Sequence, residues 1–227
     1  MAPTVVIRAD ASREIGTGHV MRCAALADAL RAQGAEVVFV CRPQPGDLIG
    51  WLKMKQYAVA ELPACGDTLS PSTHTAPETS IARDAEETRD ILDRLRASGR
   101  APRWLVADHY GIDSRWEGRL RTTVERIMVI DDLADRQHNC DLLLDQNYHA
   151  AMPARYRDKV PAGCRLLLGP RYALLREEFA KARETLRSRD GAIRRVLVFF
   201  GGTDPTNETG KALEALRLLG RAHIAVD

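Results

Sequence analysis

Short apolar runs alternate along this chain with longer stretches in which apolar residues recur at helical spacing. The runs predict buried strands at residues 5–8, 36–41, 104–108, 126–131 and 141–145. The longer stretches predict helices at residues 20–33, 46–54, 86–98 and 113–124. Strands that alternate with helices are typical of a mainly parallel sheet covered on both faces. We therefore predict an α/β fold with a doubly wound parallel sheet, and a surface loop at residues 63–80, which are rich in Ser, Thr and Pro.

The same alternation starts again after residue 170. The pattern predicts a helix at 174–189, a strand at 194–200, a helix at 207–219 and one more strand at 222–226. Two strands and one helix cannot cover a parallel sheet on both faces. We therefore predict three parts: a complete N-terminal Rossmann-like domain at 1–170, a linking helix at 171–192, and at 193–227 the start of a second, truncated α/β domain.

Composition and charge argue against several functional classes. The 227 residues are 45% apolar and 28% charged, which is enough to bury a normal core. A formal net charge of +2 gives no electrostatic reason to bind nucleic acid or an anionic membrane. No apolar run approaches the ~20 residues that cross a bilayer, and the chain enters its first strand without a secretory signal. We expect a cytoplasmic protein with no nucleic-acid or membrane partner.

The cysteines are Cys23, Cys41, Cys65, Cys140 and Cys164. Their number is odd and no two of them form a C-x-x-C pair, so the pattern predicts neither a disulfide framework nor a zinc site. We expect reduced, mostly buried thiols and no metal.

The most informative segment joins the first strand to the first helix and contains Gly16, Gly18 and His19. Glycines let a ligand approach the backbone closely, and the amino end of a helix attracts anions such as phosphate. A histidine there can donate, accept or abstract a proton near neutral pH. Such turns also occur without catalysis, with the histidine acting only as a cap. The third glycine of the dinucleotide fingerprint is missing, so a nicotinamide dehydrogenase is a minor alternative.

An ordered set of motifs carries a resemblance to a known family. The motifs are Arg8-x-Asp10, Gly16-Thr-Gly-His-x-x-Arg22, Asp108-His-Tyr-Gly111, Asp131-Asp132, Tyr172-Ala-Leu-Leu-Arg176-x-Glu-Phe179 and Gly201-Gly-Thr-Asp204. Together they resemble the UDP-2,4-diacetamido-2,4,6-trideoxy-β-L-altropyranose hydrolases of pseudaminic acid biosynthesis, a pathway that supplies flagellin glycosylation. The resemblance spans almost the whole chain.

The resemblance implies a glycosyltransferase-B-like enzyme of two domains. It is similar to the transferase that adds N-acetylglucosamine to the lipid-linked peptidoglycan precursor, with water in place of the sugar acceptor. It implies a UDP-sugar substrate, no cofactor and a monomer. Such enzymes hold UDP mainly on the second domain, whose later segments are absent from this sequence. The 227 residues alone are therefore expected to bind UDP weakly and to hydrolyse the substrate poorly.

The resemblance also implies roles for single residues. His19 is the general base that activates water for attack at the anomeric carbon with inversion, and Tyr110 belongs to the catalytic centre. The residues expected to contact substrate are Gly16, Thr17, Gly18, Arg22, Asp108, Asn147, Arg176, Gly202 and Thr203. A glycosyltransferase of the same fold and a non-catalytic nucleotide-sugar-binding domain remain the rival functions.

The residues by themselves leave other roles open. The ring of Tyr110 could simply pack over the sheet, Asn147 could only shape a turn, and Arg176 could be a solvated or ion-paired helix residue. The pair Asp131 and Asp132 is expected to contact sugar hydroxyls or a neighbouring loop, since no other metal ligands accompany it. His109 should point away from Tyr110 if the strand continues, so it is not expected to be catalytic.

Overall fold

The computed structural model describes residues 2–64, 76–186, 188, 190–201, 204, 206–220 and 224–227. The chain divides into two compact units, Met1–Arg176 and Glu177–Asp227. Within the described residues, no helix is both long and apolar enough to cross a membrane.

The first unit is built on a parallel sheet of seven strands. In chain order they are β1 (Thr4–Ala9), β2 (Glu36–Cys41), β3 (Ala58–Glu61), β4 (Pro102–Asp108), β5 (Arg126–Ile130), β6 (Leu142–Asp145) and β7 (Arg165–Leu168). Their order across the sheet is β3-β2-β1-β4-β5-β6-β7, and every adjacent pair is parallel. The chain winds outward in both directions from the β1–β4 pair, so the predicted doubly wound α/β fold is confirmed.

Helices cover both faces of this sheet. They are α1 (Gly18–Ala32), α2 (Ile49–Met54), α3 (Glu78–Ala97), α4 (Ser114–Leu120) and α5 (Met152–Arg155), and a 3-10 helix follows at Pro170–Tyr172. Side chains of β1 alternate between two cores, as those of a buried strand must. Val6 packs in one core with Leu92 of α3, whereas Ile7 packs in the other with Val20 of α1 and Leu52 of α2.

The second unit is small. It contains α6 (Glu177–Glu184), α7 (Glu208–Leu218) and a two-stranded parallel sheet of β8 (Arg195–Val196) and β9 (Ala225–Val226). Several large apolar side chains of this unit are exposed: Leu197, Phe199, Phe200, Leu213 and Leu218. The strand predicted at 194–200 is longer than the observed strand β8, in which two residues pair with β9.

Other boundaries also differ from the predictions. The short strands β3 and β7 were missed, because neither forms a run of fully buried residues. Helix α3 begins at Glu78, inside the stretch predicted as a loop, of which residues 65–75 lie outside the described part. Helix α4 ends at Leu120, since the hydroxyl of Thr123 donates to the Leu120 carbonyl oxygen at 2.6 Å and closes a turn there.

A cluster of charged side chains lies buried at the carboxyl end of β1. Arg8 has 0% exposed surface and donates to both oxygens of Asp10, at 2.6 and 2.8 Å, and to both oxygens of Asp84, at 3.2 and 2.8 Å. Asp84 also accepts from Arg42, at 2.8 Å, and from the indole N–H of Trp116, at 2.9 Å. Burial favours the neutral acid, but the two guanidinium groups outweigh it and hold the pKa of Asp84 well below its usual range. The cluster thereby ties β1 to α3 and α4.

Candidate active site

The loop between β1 and α1 places the amino end of α1 at the carboxyl edge of the sheet. The Ser12 hydroxyl accepts two backbone N–H bonds within the loop, and the N–H of Gly16 donates to the Ser12 carbonyl oxygen at 2.8 Å. Gly16 has φ of +76°, which favours glycine. In this described segment Thr17 makes no side-chain cap hydrogen bond and the first turn of α1 contains no acidic residue. The positive end of the helix is therefore suited to a negatively charged ligand.

His19 lies in the first turn of α1 and contacts the end of β4. Its Nδ1 is 2.6 Å from Oδ1 of Asp108, and the two residues are 5% and 0% exposed. Burial favours the neutral acid, but hydrogen bonds from Arg22 and His19 lower the pKa of Asp108 to about 2. The carboxylate is thus ionised at neutral pH, so the proton in this short contact belongs to Nδ1 of the imidazole. In the neutral ring Nε2 then carries the lone pair, and no described residue hydrogen-bonds it.

Two further side chains of α1 hold the same carboxylate. Arg22 donates to Asp108 twice at 2.6 Å, from Nε to Oδ2 and from Nη2 to Oδ1. The Cys23 thiol donates to Oδ2 at 3.4 Å. Cys23 is not among the predicted site residues, although its spacing of four residues from His19 places both on one helical face. Because protein donors occupy both of its oxygens, the Asp108 carboxylate holds the side chains of His19 and Arg22 together.

Tyr110 packs against the ring of His19. The two rings meet edge to face, with centroids 4.6 Å apart and an interplanar angle of 82°. Burial and the nearby carboxylate of Asp132 raise the pKa of Tyr110 to about 12. The phenol is therefore protonated at neutral pH and can act as a hydrogen-bond donor, but not as a base.

The ends of β5 and β6 bring two more predicted residues to this edge. Oδ2 of Asp132 accepts from the Asn147 amide at 3.2 Å and lies 3.5 Å from Nη1 of Arg22. Asn147 is exposed, so its amide can also face a ligand. The neighbouring Asp131 is buried and accepts at Oδ2 from the backbone N–H of Ala134, at 2.9 Å, which is the loop contact considered for this pair. Among the described residues, no group of three or more His, Cys, Asp and Glu side chains is arranged to hold a metal ion.

The remaining predicted substrate contacts are Arg176, Gly202 and Thr203. Arg176 is exposed at the last residue of the first unit. Gly202 and Thr203 lie outside the described residues. The structure thus brings together His19, Arg22, Asp108, Tyr110 and Asn147 beside the amino end of α1, at the β1–β4 pair where the strand order reverses. Doubly wound sheets bind their ligands at such a crevice.

His109 is buried beside the charged cluster and not in this crevice. Its Nδ1 accepts the backbone N–H of Gly111 at 2.9 Å, and its Nε2 lies 3.6 Å from Oδ2 of Asp10. Burial lowers the pKa of His109 to about 4, although Asp10 opposes the shift. A folded-state pKa below the unfolded value of ~6.5 means that the unfolded chain binds the proton first as pH falls. The buried, neutral His109 therefore makes its full contribution to the free energy of unfolding above pH ~6.5. That contribution is lost as the pH falls from there to about 4.

We expect His109→Asn to weaken this pH dependence, because the asparagine oxygen can still accept from Gly111 but has no proton to bind. Between pH 7 and 4.5 the wild type should lose up to ~2–3 kcal/mol more unfolding free energy than the variant. Urea unfolding at the two pH values measures the difference. His149→Asn, at a partly exposed histidine outside the cluster, is the control. An unchanged pH dependence in His109→Asn would contradict the prediction.

Two curated proteins are similar to this chain in sequence. The UDP-2,4-diacetamido-2,4,6-trideoxy-β-L-altropyranose hydrolase of Campylobacter jejuni is 29% identical over 205 residues, which cover 89% of this chain and 62% of that protein. The sequence resemblance is confirmed. The uncharacterized protein MJ1062 of Methanocaldococcus jannaschii is 24% identical over 215 residues, covering 93% of this chain and 39% of that protein. The chain thus spans less than two thirds of either relative, and no protein-family model matches it.

Solved glycosyltransferase structures share the fold. Acinetobacter baumannii MurG aligns with 99% of this chain and 65% of its own, at 11% identity and a TM-score of 0.53. Arabidopsis thaliana UGT89C1, solved in complex with UDP-L-rhamnose, aligns with 98% of this chain and 63% of its own, at 13% identity and a TM-score of 0.58. The predicted glycosyltransferase-B-like fold is therefore confirmed.

Proposed function

We propose that this chain carries the water-activating part of a hydrolase that releases UDP from a UDP-linked 2,4-diacetamido-2,4,6-trideoxyhexose in pseudaminic acid biosynthesis. The observation that carries the proposal is the contact between Nδ1 of His19 and Asp108 at the β1–β4 crevice. In the neutral ring it leaves Nε2 as the proton acceptor, on a side of His19 where no described residue donates a hydrogen bond. The 29% identity to a hydrolase acting on such a substrate supports the substrate class.

In the proposed reaction, Nε2 of His19 takes a proton from a water molecule. The water oxygen bonds to the anomeric carbon while the bond from that carbon to the UDP oxygen breaks, so the configuration inverts. UDP leaves with the bonding electron pair and is a good leaving group, which requires little acid assistance. The proton on His19 then passes to solvent. Asp108 remains ionised throughout, and it stabilises the imidazolium that forms and keeps the ring oriented.

The other residues of the crevice have positioning and binding roles in this proposal. The Tyr110 hydroxyl donates a hydrogen bond to the sugar or to the attacking water, and the Asn147 amide donates one to an acetamido oxygen. Gly16, Thr17 and Gly18 let the substrate approach the positive end of α1, which favours its negative charge. We also propose Arg176, Gly202 and Thr203 as substrate-binding residues.

Release of UDP from the sugar nucleotide tests the function. Because the chain spans 62% of the C. jejuni hydrolase, two proteins are compared: the chain itself, and a chimera that adds the remaining part of that hydrolase. Release in water alone supports the proposal. Release only when an acceptor sugar is added would instead identify a transferase, the second candidate, which the structural likeness to glycosyltransferases favours. Binding without release under either condition would identify a nucleotide-sugar-binding domain.

We expect Asp108→Asn to lower kcat by ~10²–10⁴-fold with little change in KM. The asparagine amide would donate to Nδ1, so the proton would move to Nε2 and His19 could no longer accept one from water. The measurement is the pH profile of UDP release by the chimera, with a thermal melt to confirm folding. A variant that keeps the wild-type kcat would show that Asp108 does not set the tautomer of His19.

A further inference from the structure

Two cysteines lie side by side at the amino ends of β6 and β7, at the opposite edge of the sheet from the crevice. Cys140 directly precedes Asp141, and Cys164 directly precedes Arg165. These two following residues are hydrogen-bonded, since the N–H of Arg165 donates to the Asp141 carbonyl oxygen at 2.9 Å. Their sulfur atoms are 3.6 Å apart. The backbone of two adjacent strands thus sets this distance, so the contact does not depend on a mobile loop.

The two thiols differ in their access to solvent. Cys140 is 1% exposed and belongs to the core that also contains Tyr156, whereas Cys164 packs against that core and is only partly buried. Cys23 and Cys41 are buried in the other core, where burial raises the pKa of each thiol. Of the four cysteines that the structure describes, Cys164 is therefore the one that a dissolved oxidant reaches, and a second thiol lies in contact with it.

We propose that Cys140 and Cys164 form a reversible disulfide when the protein meets a hydroperoxide. The geometry requires little movement. A disulfide has a sulfur–sulfur distance of ~2.05 Å, so the two atoms must approach by about 1.5 Å. A change of side-chain rotamer at the partly buried Cys164 can supply this approach while the strands stay in place.

The chemistry needs only the oxidant and the two thiols. Either sulfur can donate in this contact, and donation from Cys140 lowers the pKa of Cys164 and favours its thiolate. The thiolate attacks one peroxide oxygen, forming a sulfenic acid and releasing hydroxide, or an alcohol in the case of an alkyl hydroperoxide. The sulfur of Cys140 then displaces the sulfenic oxygen as water, and its own proton completes that water. In sum, two thiols and one hydrogen peroxide give one disulfide and two waters.

The disulfide would close the segment between residues 140 and 164, which carries Asn147 and Tyr156 at the crevice edge of the sheet. Closing a loop of about 25 residues restricts the unfolded chain more than the folded one. We therefore expect oxidation to raise the melting temperature by ~5–10 °C, and a thiol reductant to reverse this increase.

Peptide mapping tests the proposal directly. The folded 227-residue protein is treated with a small excess of hydrogen peroxide, free thiols are alkylated, and the protein is digested with trypsin. Cleavage at Arg and Lys places Cys140 in peptide 137–155 and Cys164 in peptide 160–165. The expected product is these two peptides joined, with a mass two hydrogens below their sum, and it should separate after treatment with dithiothreitol.

Matched variants give the controls. Cys65→Ser, which removes the cysteine outside the described residues, should still give the joined peptide and the higher melting temperature. Cys164→Ser should lose both, and because this residue is only partly buried the variant should fold. The proposal fails if the two peptides stay separate in the wild type, whether Cys164 is then found as a free thiol or as a sulfinic or sulfonic acid.

Discussion

Replacing His19 with asparagine should lower the rate of UDP release by ~10²–10⁴-fold while leaving binding of the UDP-sugar nearly unchanged. Loss of a general base typically costs this much, because the water must then attack without giving up its proton in the transition state. Asparagine keeps the polarity and most of the size of the side chain, and its oxygen or amide can still meet the Asp108 and Arg22 pair. Single-turnover kinetics on the chimera, together with calorimetric titration of the substrate, separates the two effects.

The control for this experiment is His149→Asn, at a histidine whose Nε2 lies 3.9 Å from Asp145 and outside the His19 group. It should retain turnover close to that of the unmodified chimera. If His19→Asn also retained turnover, the assignment of His19 as base would be wrong. A loss of substrate binding in His19→Asn, with the chemical step intact, would instead make His19 a substrate contact.

Replacing Asp84 with asparagine should lower the free energy of unfolding by ~3–5 kcal/mol at pH 7. The amide has nearly the shape of the carboxylate but no charge, so Arg8 would lose one of its two carboxylate partners while 0% exposed. Arg42 would lose the same partner, although it keeps its 2.6 Å contact with Glu87. Removing one member of a buried ion pair is costly because the charge that remains stays out of water. Urea unfolding followed by circular dichroism measures the change.

A matched comparison is Glu61→Gln, which breaks the exposed ion pair of Glu61 with Lys53. These side chains are 41% and 54% exposed, and such surface pairs contribute ~0–1 kcal/mol. A loss of less than ~1 kcal/mol in Asp84→Asn would mean that water or another group replaces the carboxylate, and that the cluster at the end of β1 does not determine stability.

The sequence predicts the centre of the fold better than its edges. Strands β1, β2 and β4 are buried on both faces and read as continuous apolar runs, so their positions follow from the pattern alone. Strands β3 and β7 are at the sheet edges and are only partly buried, so they lack such a run. The order in which strands pair also depends on contacts between residues far apart in the chain, which local periodicity does not contain.

For the candidate site, the sequence predicts which residues lie there better than it predicts which of them bind one another. Strand ends and glycine turns are local signals, and they locate His19, Tyr110 and Asn147. The contact between His19 and Asp108 spans 89 residues, and no spacing rule predicts which carboxylate meets which base. The same holds for the buried partners of Arg8, since the Arg8–Asp84 contact spans 76 residues. The sequence thus predicts Asp108 as a substrate contact, but it does not predict that this buried carboxylate binds His19.

The pairing of β1 with β4 has a consequence for how the protein folds as it is made. Thr4 pairs with Pro102, so about a hundred residues must leave the ribosome before the central pair of the sheet can form. At ~5–20 residues per second, this delay is on the order of 5–20 s, whereas β2, which also pairs with β1, is complete at Cys41. During that interval His19 has no carboxylate partner, because Asp108 is the last residue of β4. We expect a nascent chain arrested before residue 102 to contain helix α1 but not the oriented base.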